Sequence, residues 1–292
     1  IMSTVKDGVD IVDRFFIIIY NKSNIKNRGD LMRTFIQQLK QRLQDEFARQ
    51  DRKGVYALTQ KSMAYNSNKI EGNTLTSEQT ASLFDTGTVM GDANFVFRAK
   101  DVEEMTGHFK MFNEVVKSLD IPLSIDMIKL FHYQLKSGVF EDYANGYPVG
   151  EFKNRANQVS DIKTELPQNI PTRIHELLDW YESSEKQLMD IAIFHAKYEQ
   201  IHPFQDGNGR TGRAILLKQC LDSDIVPVII SNDEKIQYYY ALHAAQIEEN
   251  YIPLLQFFED EQQKYYELVK DYIIIDQGLE DDGTTCDDFE ED

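Results

Sequence analysis

Apolar side chains recur at intervals near 3.6 residues along most of the chain, which is the spacing of one buried face of an α-helix. Glu, Lys, Gln and Leu, all good helix formers, are abundant in the same stretches. Only residues 156–164, and as a second option 11–20, have a pattern compatible with extended structure. Helices are predicted around residues 30–50, 56–71, 77–85, 98–119, 124–136, 171–199, 209–222, 233–248 and 252–273. The expected fold class is mainly α.

Composition narrows the class of protein. A chain of 292 residues with 41% hydrophobic content can bury a core as one large domain or as a domain with a helical extension. Its two cysteines, Cys220 and Cys286, give no disulfide framework and have no zinc-ligand spacing, which indicates a reducing compartment. Single histidines on predicted helix faces are expected to be structural; these include His132, His175 and His195.

The chain is strongly acidic. A net charge of −18 argues against a nucleic-acid partner, because nucleic acids select basic surfaces. Residues 276–292 contain nine Asp or Glu and no Lys or Arg, so the rest of the chain carries about −9 (−18 less −9). This segment is predicted to be a disordered acidic tail.

The apolar segment at 11–20 is too short to cross a membrane. Its uninterrupted apolar run covers residues 15–20, whereas a membrane helix needs roughly 20 apolar residues. A buried strand or short helix is expected there, and an export signal read by a receptor remains open. The expected location is cytoplasmic, with no membrane partner.

The helical pattern is interrupted at residues 202–213, which read His-Pro-Phe-Gln-Asp-Gly-Asn-Gly-Arg-Thr-Gly-Arg. Apolar helical patterns on both sides predict a loop between two buried helices. Pro203 disfavours a helical backbone at His202, so the first helix is expected to end there and to turn the imidazole toward a cleft. The Gly-Asn-Gly run at 207–209 tolerates unusual backbone angles, so its N–H groups can converge on an anion at the start of the second helix.

The charged side chains of this loop indicate which anion. Asp206 is a hard oxygen ligand of the kind that Mg2+ takes when water and phosphate complete its shell. Arg210 and Arg213 are three residues apart in a forming helix, so both guanidinium groups can reach one phosphate group. His202 is the best candidate for a general base, because an unperturbed imidazole titrates at about pH 6.5. A nucleoside triphosphate with Mg2+ satisfies all of these groups.

Other interpretations of the loop need groups that it lacks. A P-loop requires a Lys followed by Ser or Thr where Arg213 and Ala214 stand, and it follows a strand. An EF-hand loop requires an oxygen ligand where Arg210 stands. A glycine-rich helix connection that carries charges by chance would not combine a base, a metal ligand, an anion nest and two arginines. The sequence therefore predicts a nucleotide site.

The same loop resembles the motif of Fic proteins, His-Pro-Phe-x-Asp/Glu-Gly-Asn-Gly-Arg-x-x-Arg, at every specified position. The resemblance implies a Fic helical bundle that transfers AMP from ATP to a Ser, Thr or Tyr hydroxyl of a protein. It implies that His202 is the base, that Phe204 anchors the loop, and that Asp206 binds Mg2+ or Mn2+. Arg210 would then hold the β-phosphate side and Arg213 the γ-phosphate. The nucleotide-binding residues that it implies here are Gly207, Asn208, Gly209, Arg210, Thr211, Gly212 and Arg213.

A second resemblance lies upstream. Residues 67–73, Ser-Asn-Lys-Ile-Glu-Gly-Asn, are similar to the inhibitory motif Ser/Thr-x-x-x-Glu-Gly/Asn of many Fic proteins. Ser67 and Glu71 lie one turn apart on one helical face, and Gly72 stands where a helix-ending glycine belongs. The resemblance implies that Glu71 pairs with Arg213 and denies it to the γ-phosphate. An exposed glutamate at a helix end is the alternative.

Two further segments are similar to Fic elements. Residues 150–164 resemble the approach to the site and its β-hairpin flap, which clamps a target peptide by main-chain pairing, with Lys153 where Arg is usual. The flap residues that this implies are Val159, Ser160, Asp161 and Ile162. Residues 238–242 resemble the helix whose aromatic ring borders the adenine. The contacts implied there are Tyr238, Tyr239 and, in place of an Asn, Gln246.

The predicted organisation follows from these resemblances. An N-terminal helical region with the inhibitory motif covers 1–119, the Fic core covers 120–262, the end of a C-terminal helix covers 263–275, and the tail follows. The expected activity is that of a self-inhibited AMPylator with ATP, Mg2+ and a protein substrate, able to modify itself or to form a homodimer. Removal of AMP, or transfer of another nucleotide or phosphate-bearing group, is the first alternative. A protein in which nucleotide only regulates binding is the second, and an intact His202 and Asp206 disfavour it.

Overall fold

The computed structural model describes residues 25–89, 91, 96–159 and 162–273, and it is mainly α-helical, as predicted. The apolar segment at 11–20 and the acidic tail at 276–292 lie outside these residues. The α-helices are α1 (Ile25–Ala48), α2 (Val55–Ile70), α3 (Ser77–Thr86), α4 (Ala99–Lys117), α5 (Ile125–Lys136), α6 (Phe140–Ala144), α7 (Ile170–Glu182), α8 (Leu188–Ile201), α9 (Asn208–Asp222), α10 (Lys235–Ile247) and α11 (Ile252–Val269). Short 3-10 helices cover Pro167–Asn169, Asn232–Glu234 and Lys270–Tyr272.

The helix predicted over 171–199 is wrong in one respect, because the structure divides it into α7 and α8. The hydroxyls of Ser183 and Ser184 donate to backbone carbonyls in the last turn of α7, which satisfies carbonyls that a continuing helix would use. Gln187 and Asp190 then form a capping box that starts α8. These local hydrogen bonds outweigh the apolar periodicity that runs through the whole segment.

The predicted extended segment is a very short ribbon. β1 (Gln158–Val159) pairs antiparallel with β2 (Ile162–Lys163), in a register that sets Val159 opposite Ile162. Ser160 and Asp161, which were expected at the tip of the flap, lie outside the described residues. The role of the ribbon as a flap stays a prediction.

One hydrophobic core joins the N-terminal helices to the rest of the described chain. Its buried residues run from Phe35 in α1 to Ile273 after α11. α4 and α5 approach closely at Gly107, where a Cβ atom would collide with the carbonyl of Leu135. α9 is buried along nearly its whole length, so the loop that precedes it is anchored by packing on several sides. No helix within the described residues is long and apolar enough to cross a membrane.

The end of α2 brings the second motif to the start of α9. Glu71 caps α2, and Gly72 follows in a left-handed conformation with φ of 85°, which glycine adopts without strain. Four α2 and α9 side chains meet at this junction: Ser67, Asn68, Arg210 and Arg213. Two motifs that are far apart in sequence are therefore adjacent in the fold.

Candidate functional site

The loop at 202–207 has the backbone that its sequence predicts. α8 ends at Ile201, and His202 caps it with a left-handed backbone (φ 53°, ψ 63°). Gly207 has φ of 82° and precedes the first turn of α9. The chain thus makes two left-handed turns within six residues.

A stacked ring pair holds the loop in the core. Phe204 is fully buried and stacks on His132 of α5, with ring centroids 3.8 Å apart. The Gly150 N–H donates to Nδ1 of His132 at 2.9 Å, so the ring proton resides on Nε2, which donates to the Asp206 carbonyl at 3.0 Å. His132 was expected to be structural, and its contacts fit that expectation, since they join α5 to the loop and to Gly150.

Asn208 also closes the loop. Its Oδ1 accepts the Phe204 N–H at 2.7 Å and its Nδ2 donates to the Phe204 carbonyl at 2.9 Å. The side chain is therefore committed to the loop backbone, and only the backbone of Asn208 remains for an anion. Thr211 and Gly212 lie on the buried face of α9, where Gly212 packs against Tyr198.

His202 is neutral at physiological pH. Burial, and after it the nearby Lys153 ammonium, lower the pKa of its imidazole to about 4. The imidazole is hydrogen-bonded to the carbonyl of Glu199, one turn earlier in α8, which fixes the ring. A neutral, oriented imidazole can accept a proton, as a general base requires, although it is a weaker base than the unperturbed group.

The carboxylate of Glu71 lies against the anion nest. The first N–H groups of a helix have no acceptor within the helix, and in α9 these belong to residues 208–210. A Cβ atom at Gly209 would collide with Oε1 of Glu71. The carboxylate therefore occupies the positive end of α9, next to the position that the sequence predicts for phosphates.

Arg213 binds the second motif through Nε and NH2. Its NH2 group donates to Oε1 of Glu71 at 2.7 Å and to the Ser67 carbonyl at 3.0 Å, and its Nε donates to Ser67 Oγ at 2.9 Å. Burial raises the pKa of Glu71, but Arg213 and then Arg210 outweigh it, so the net pKa is lowered and the carboxylate is ionised. The ion pair expected from the sequence is thus present in the structure.

Asp206 faces the loop but is also held by a buried lysine. Its Oδ2 lies 2.8 Å from Nζ of Lys136, and its Oδ1 accepts the Gly207 N–H at 2.7 Å. Burial raises the pKa of Asp206, yet Arg210 and Lys136 outweigh it and hold the pKa well below its usual range. The side chain remains 37% exposed. An ionised, partly exposed carboxylate fits a hard divalent cation that takes most of its ligands from water and phosphate.

No cluster of three or more His, Cys, Asp or Glu within the described residues could hold a metal by itself. A cation bound at Asp206 would therefore need the phosphates of a nucleotide as further ligands.

Arg210 is enclosed by carboxylate and amide side chains in this structure. The residue is 2% exposed, and its NH1 lies 2.7 Å from Oε2 of Glu104 in α4 and 3.4 Å from Oδ1 of Asn68. Glu104 also accepts from Nζ of Lys136 at 2.7 Å. Asp206, Lys136, Glu104 and Arg210 therefore form a closed ring of alternating charges, completed by a 3.5 Å approach of Arg210 to Asp206.

The aromatic helix α10 contributes only in part. Tyr238 is buried, and its hydroxyl bonds to Nε2 of His195 at 2.8 Å, so it lies in the core and not on an open pocket. Gln246 donates to the carbonyl of Ala196, which commits its amide to α8. Tyr239 is 43% exposed. Burial raises the pKa of its hydroxyl, and Glu71 and Arg213 are close enough to affect that pKa as well. Of these three residues, Tyr239 alone presents its ring to the site.

Lys153 fastens the ribbon to the loop. It is buried, and its Nζ donates to Oδ1 of Asn157 at 2.6 Å and to Oγ1 of Thr164 at 2.9 Å. Burial lowers the pKa of this ammonium to about 8. Its backbone N–H donates to the Pro203 carbonyl at 2.9 Å. The two ends of the ribbon are therefore tied to the segment that carries His202.

Sequence reasoning missed Lys136, Glu104 and Glu199. Each is a charged residue within a predicted helix, and a charged side chain in a helix is ordinarily expected on the solvent-exposed face. A signal was nevertheless present for Lys136 and Glu104, because both occupy positions on the apolar stripe of their helices. Lys136 lies four positions after the buried His132, and Glu104 four positions before the buried His108.

Comparisons with known proteins agree with this geometry. The model of the Fic/DOC family matches residues 122–220. Protein adenylyltransferase fic-1 of Caenorhabditis briggsae is 29% identical over 190 residues, which cover 63% of this chain and 36% of that protein. Protein adenylyltransferase Fic of Drosophila willistoni is 30% identical over 209 residues, which cover 70% of this chain and 40% of that protein. The chain thus spans about two fifths of the length of these curated relatives.

Solved structures show the same fold. A Fic-domain-containing signaling protein from Bacteroides thetaiotaomicron superposes with a TM-score of 0.67 at 22% identity, covering 82% of this chain and 96% of that one. Fic-1 from Caenorhabditis elegans superposes with a TM-score of 0.59 at 22% identity, covering 83% of this chain and 73% of that one. At these identities the similarity is one of fold.

Proposed function

The chain belongs to the Fic/DOC family through residues 122–220, and on that premise we propose that it is a protein adenylyltransferase whose nucleotide site is masked by Glu71. The proposed reaction moves AMP from ATP to a hydroxyl of a protein, which includes the chain itself. The observation that carries the proposal is the contact of Glu71 with both Arg213 and Gly209, at the head of a complete nucleotide loop.

Each group of the loop would have a separate role in such a transfer. The neutral imidazole of His202 would take the proton of the attacking hydroxyl. The backbone N–H groups of the first turn of α9 would bind phosphate oxygens, and Arg213 would neutralise the terminal phosphate. Transfer of a phosphoryl-type group depends mostly on such positioning and charge neutralisation.

A divalent cation fits this arrangement at Asp206. Its ionised and partly exposed carboxylate would bind Mg2+ or Mn2+, which when bound neutralises phosphate charge in the transition state. Lys136 and the Gly207 N–H hold the carboxylate in one orientation.

Masking follows from competition for the same groups. Glu71 satisfies Arg213 and lies against the nest, so a triphosphate must displace the carboxylate before the arginine is free. The cost of displacement is partly offset, because the terminal phosphate replaces the carboxylate as the partner of the guanidinium. Weak nucleotide binding and low basal activity are the expected consequences.

Autolabelling with α-labelled ATP and Mg2+ tests the proposal. We expect Glu71→Gly to label itself more strongly than the wild type, and His202→Ala in the same background to lose about 10²–10⁴-fold. Glu248→Gly is the matched control, because Glu248 also caps a helix but is an exposed residue at the end of α10. His175→Ala controls for loss of an imidazole, since His175 lies on the exposed side of α7.

The same assay separates AMP transfer from its alternatives. Labelling with α-labelled GTP but not ATP would move the proposal to another nucleotide. Undiminished labelling of the His202→Ala variant would contradict the mechanism. Release of AMP from a pre-labelled protein without net labelling would assign the reverse activity.

A further inference from the structure

Glu199 is a partly buried carboxylate next to the loop that the proposed mechanism does not use. It lies on α8, one turn before His202. Its Oε1 is buried without a hydrogen-bond partner in the described part of the chain. A Cβ atom at Gly212 would collide with this oxygen, so the carboxyl group is pressed against the backbone of α9 beside Arg213. An unpartnered buried oxygen is costly, and a protein retains it most readily where a partner arrives later.

The groups that face Glu199 come from each element packed against it. Arg213 faces it from α9, Glu71 from the end of α2, and Tyr238 and Tyr239 from α10. Tyr198 adjoins it on its own helix. Tyr238, Tyr239 and Tyr198 keep their protons at ordinary pH, because burial raises their pKa values.

Arg213 is thus the charged group that two carboxylates share. Glu71 contacts it at 2.7 Å, whereas Glu199 influences it electrostatically and forms no ion pair with it in the described residues. The two carboxylates also repel each other, so the approach of one to the guanidinium disfavours the approach of the other.

We propose that Glu199 is a second carboxylate for Arg213, which takes up the guanidinium when Glu71 withdraws and then competes with the terminal phosphate of the nucleotide. The inference rests on the proposed function, because it concerns the same nucleotide site. Glu199 acts through Arg213 and is therefore a positioning residue.

The protonation of Glu199 makes this competition depend on pH. Burial raises the pKa of Glu199 to about 7, with Arg213 lowering it and Glu71 raising it. Loss of Glu71 removes one raising charge, so Glu199 gives up its proton more readily and binds Arg213. A bound triphosphate withdraws Arg213 and adds negative charge, which raises the pKa of Glu199 again. Nucleotide binding then takes up a proton, and affinity falls as pH rises through this range.

Calorimetry with a non-hydrolysable ATP analogue tests the inference. Dissociation constants are measured at about pH 6 and about pH 8 for Glu71→Gly and for Glu71→Gly/Glu199→Gln. The glutamine keeps the shape of the side chain but cannot ionise. At each pH, the dissociation constant of one variant is divided by that of the other. This ratio removes the effect of the titration of the nucleotide itself, which is the same for both variants. We expect the two variants to bind equally at the lower pH and the double variant to bind about tenfold more tightly at the higher pH, which corresponds to one pKa unit.

Glu71→Gly/Glu185→Gln is the matched control, because Glu185 is an exposed glutamate in the loop that precedes α8. It should follow Glu71→Gly at both pH values. The number of protons taken up on binding is a second measurement. It is obtained from binding enthalpies in two buffers with different ionisation enthalpies. In Glu71→Gly this measurement needs no substitution at residue 199. We expect greater uptake in Glu71→Gly than in the wild type.

A ratio of dissociation constants that does not change with pH would overturn the inference, as would equal proton uptake in Glu71→Gly and the wild type. Either result, with tight nucleotide binding retained, would leave the proposed function standing. Failure of Glu71→Gly to bind the analogue at any pH would instead reject the proposed function, and the inference with it.

Discussion

NH1 of Arg210 lies 2.7 Å from Oε2 of Glu104, and both side chains are almost completely buried. Glu104 belongs to α4, which precedes the residues matched by the family model. Each arginine of the loop is therefore held by a carboxylate from the N-terminal helices, Arg213 by Glu71 and Arg210 by Glu104. The two contacts differ in exposure: Glu71 is 32% exposed, whereas Glu104 is enclosed.

This difference predicts that Glu104 supports stability and Glu71 does not. Glu104→Ala leaves Arg210 and Lys136 buried with one partner fewer, so we expect a loss of about 3–5 kcal/mol in the free energy of unfolding, measured with urea. Glu185→Ala, at an exposed position, should change it by less than about 0.5 kcal/mol. A loss below about 1 kcal/mol for Glu104→Ala would show that the charge ring is not structural.

Glu71 and Arg213 should be coupled in nucleotide binding. We expect Glu71→Gly to raise ATP affinity, Arg213→Ala to lower it, and the double variant to match Arg213→Ala, because nothing remains for the glutamate to mask. Calorimetry of ATP binding measures all three, with Arg173→Ala as the control for loss of an exposed arginine. Additive effects of the two changes would exclude direct coupling.

The metal role of Asp206 predicts a selective loss. In the Glu71→Gly background, EDTA and Asp206→Ala should each suppress autolabelling, and added Mg2+ or Mn2+ should restore only the chelated protein that retains Asp206. Asp179→Ala, an exposed change on α7, serves as the control. Turnover that persists in EDTA would remove the metal from the mechanism.

Buried histidines predict acid sensitivity. Burial lowers the pKa values of His108, His132 and His195 to about 3, against about 6.5 in an unfolded chain. The unfolded state therefore binds more protons between about pH 6.5 and pH 3, so stability is full above that window and falls as pH decreases through it. Each histidine contributes at most about 1.4 kcal/mol per pH unit.

Urea unfolding from pH 7.5 down to about pH 5 measures the slope of the free energy of unfolding against pH. His108→Gln should reduce the slope by the share of one histidine, since glutamine does not titrate. His175→Gln, at an exposed position, controls for the substitution itself. An unchanged slope in His108→Gln would mean that this ring is protonated in the native state.

The local sequence determined the features that depend on neighbours in the chain. Pro203 ended α8 at Ile201, Gly207 allowed the turn before α9, and Gly72 closed α2. The spacing of Ser67 and Glu71 placed both on the face that meets Arg213. Caps, turns and helical periodicity act over a few residues, so these features are encoded where they occur.

The tertiary structure alone decided which distant side chains meet. Periodicity assigns a residue to a buried face, but the neighbour across that face depends on how the helices pack. Helix packing set Glu104 against Arg210, Lys136 against Asp206 and His132 against Phe204, and it buried Tyr238. Burial then set the charges, because the same packing that brings these groups together removes the water that would otherwise solvate them.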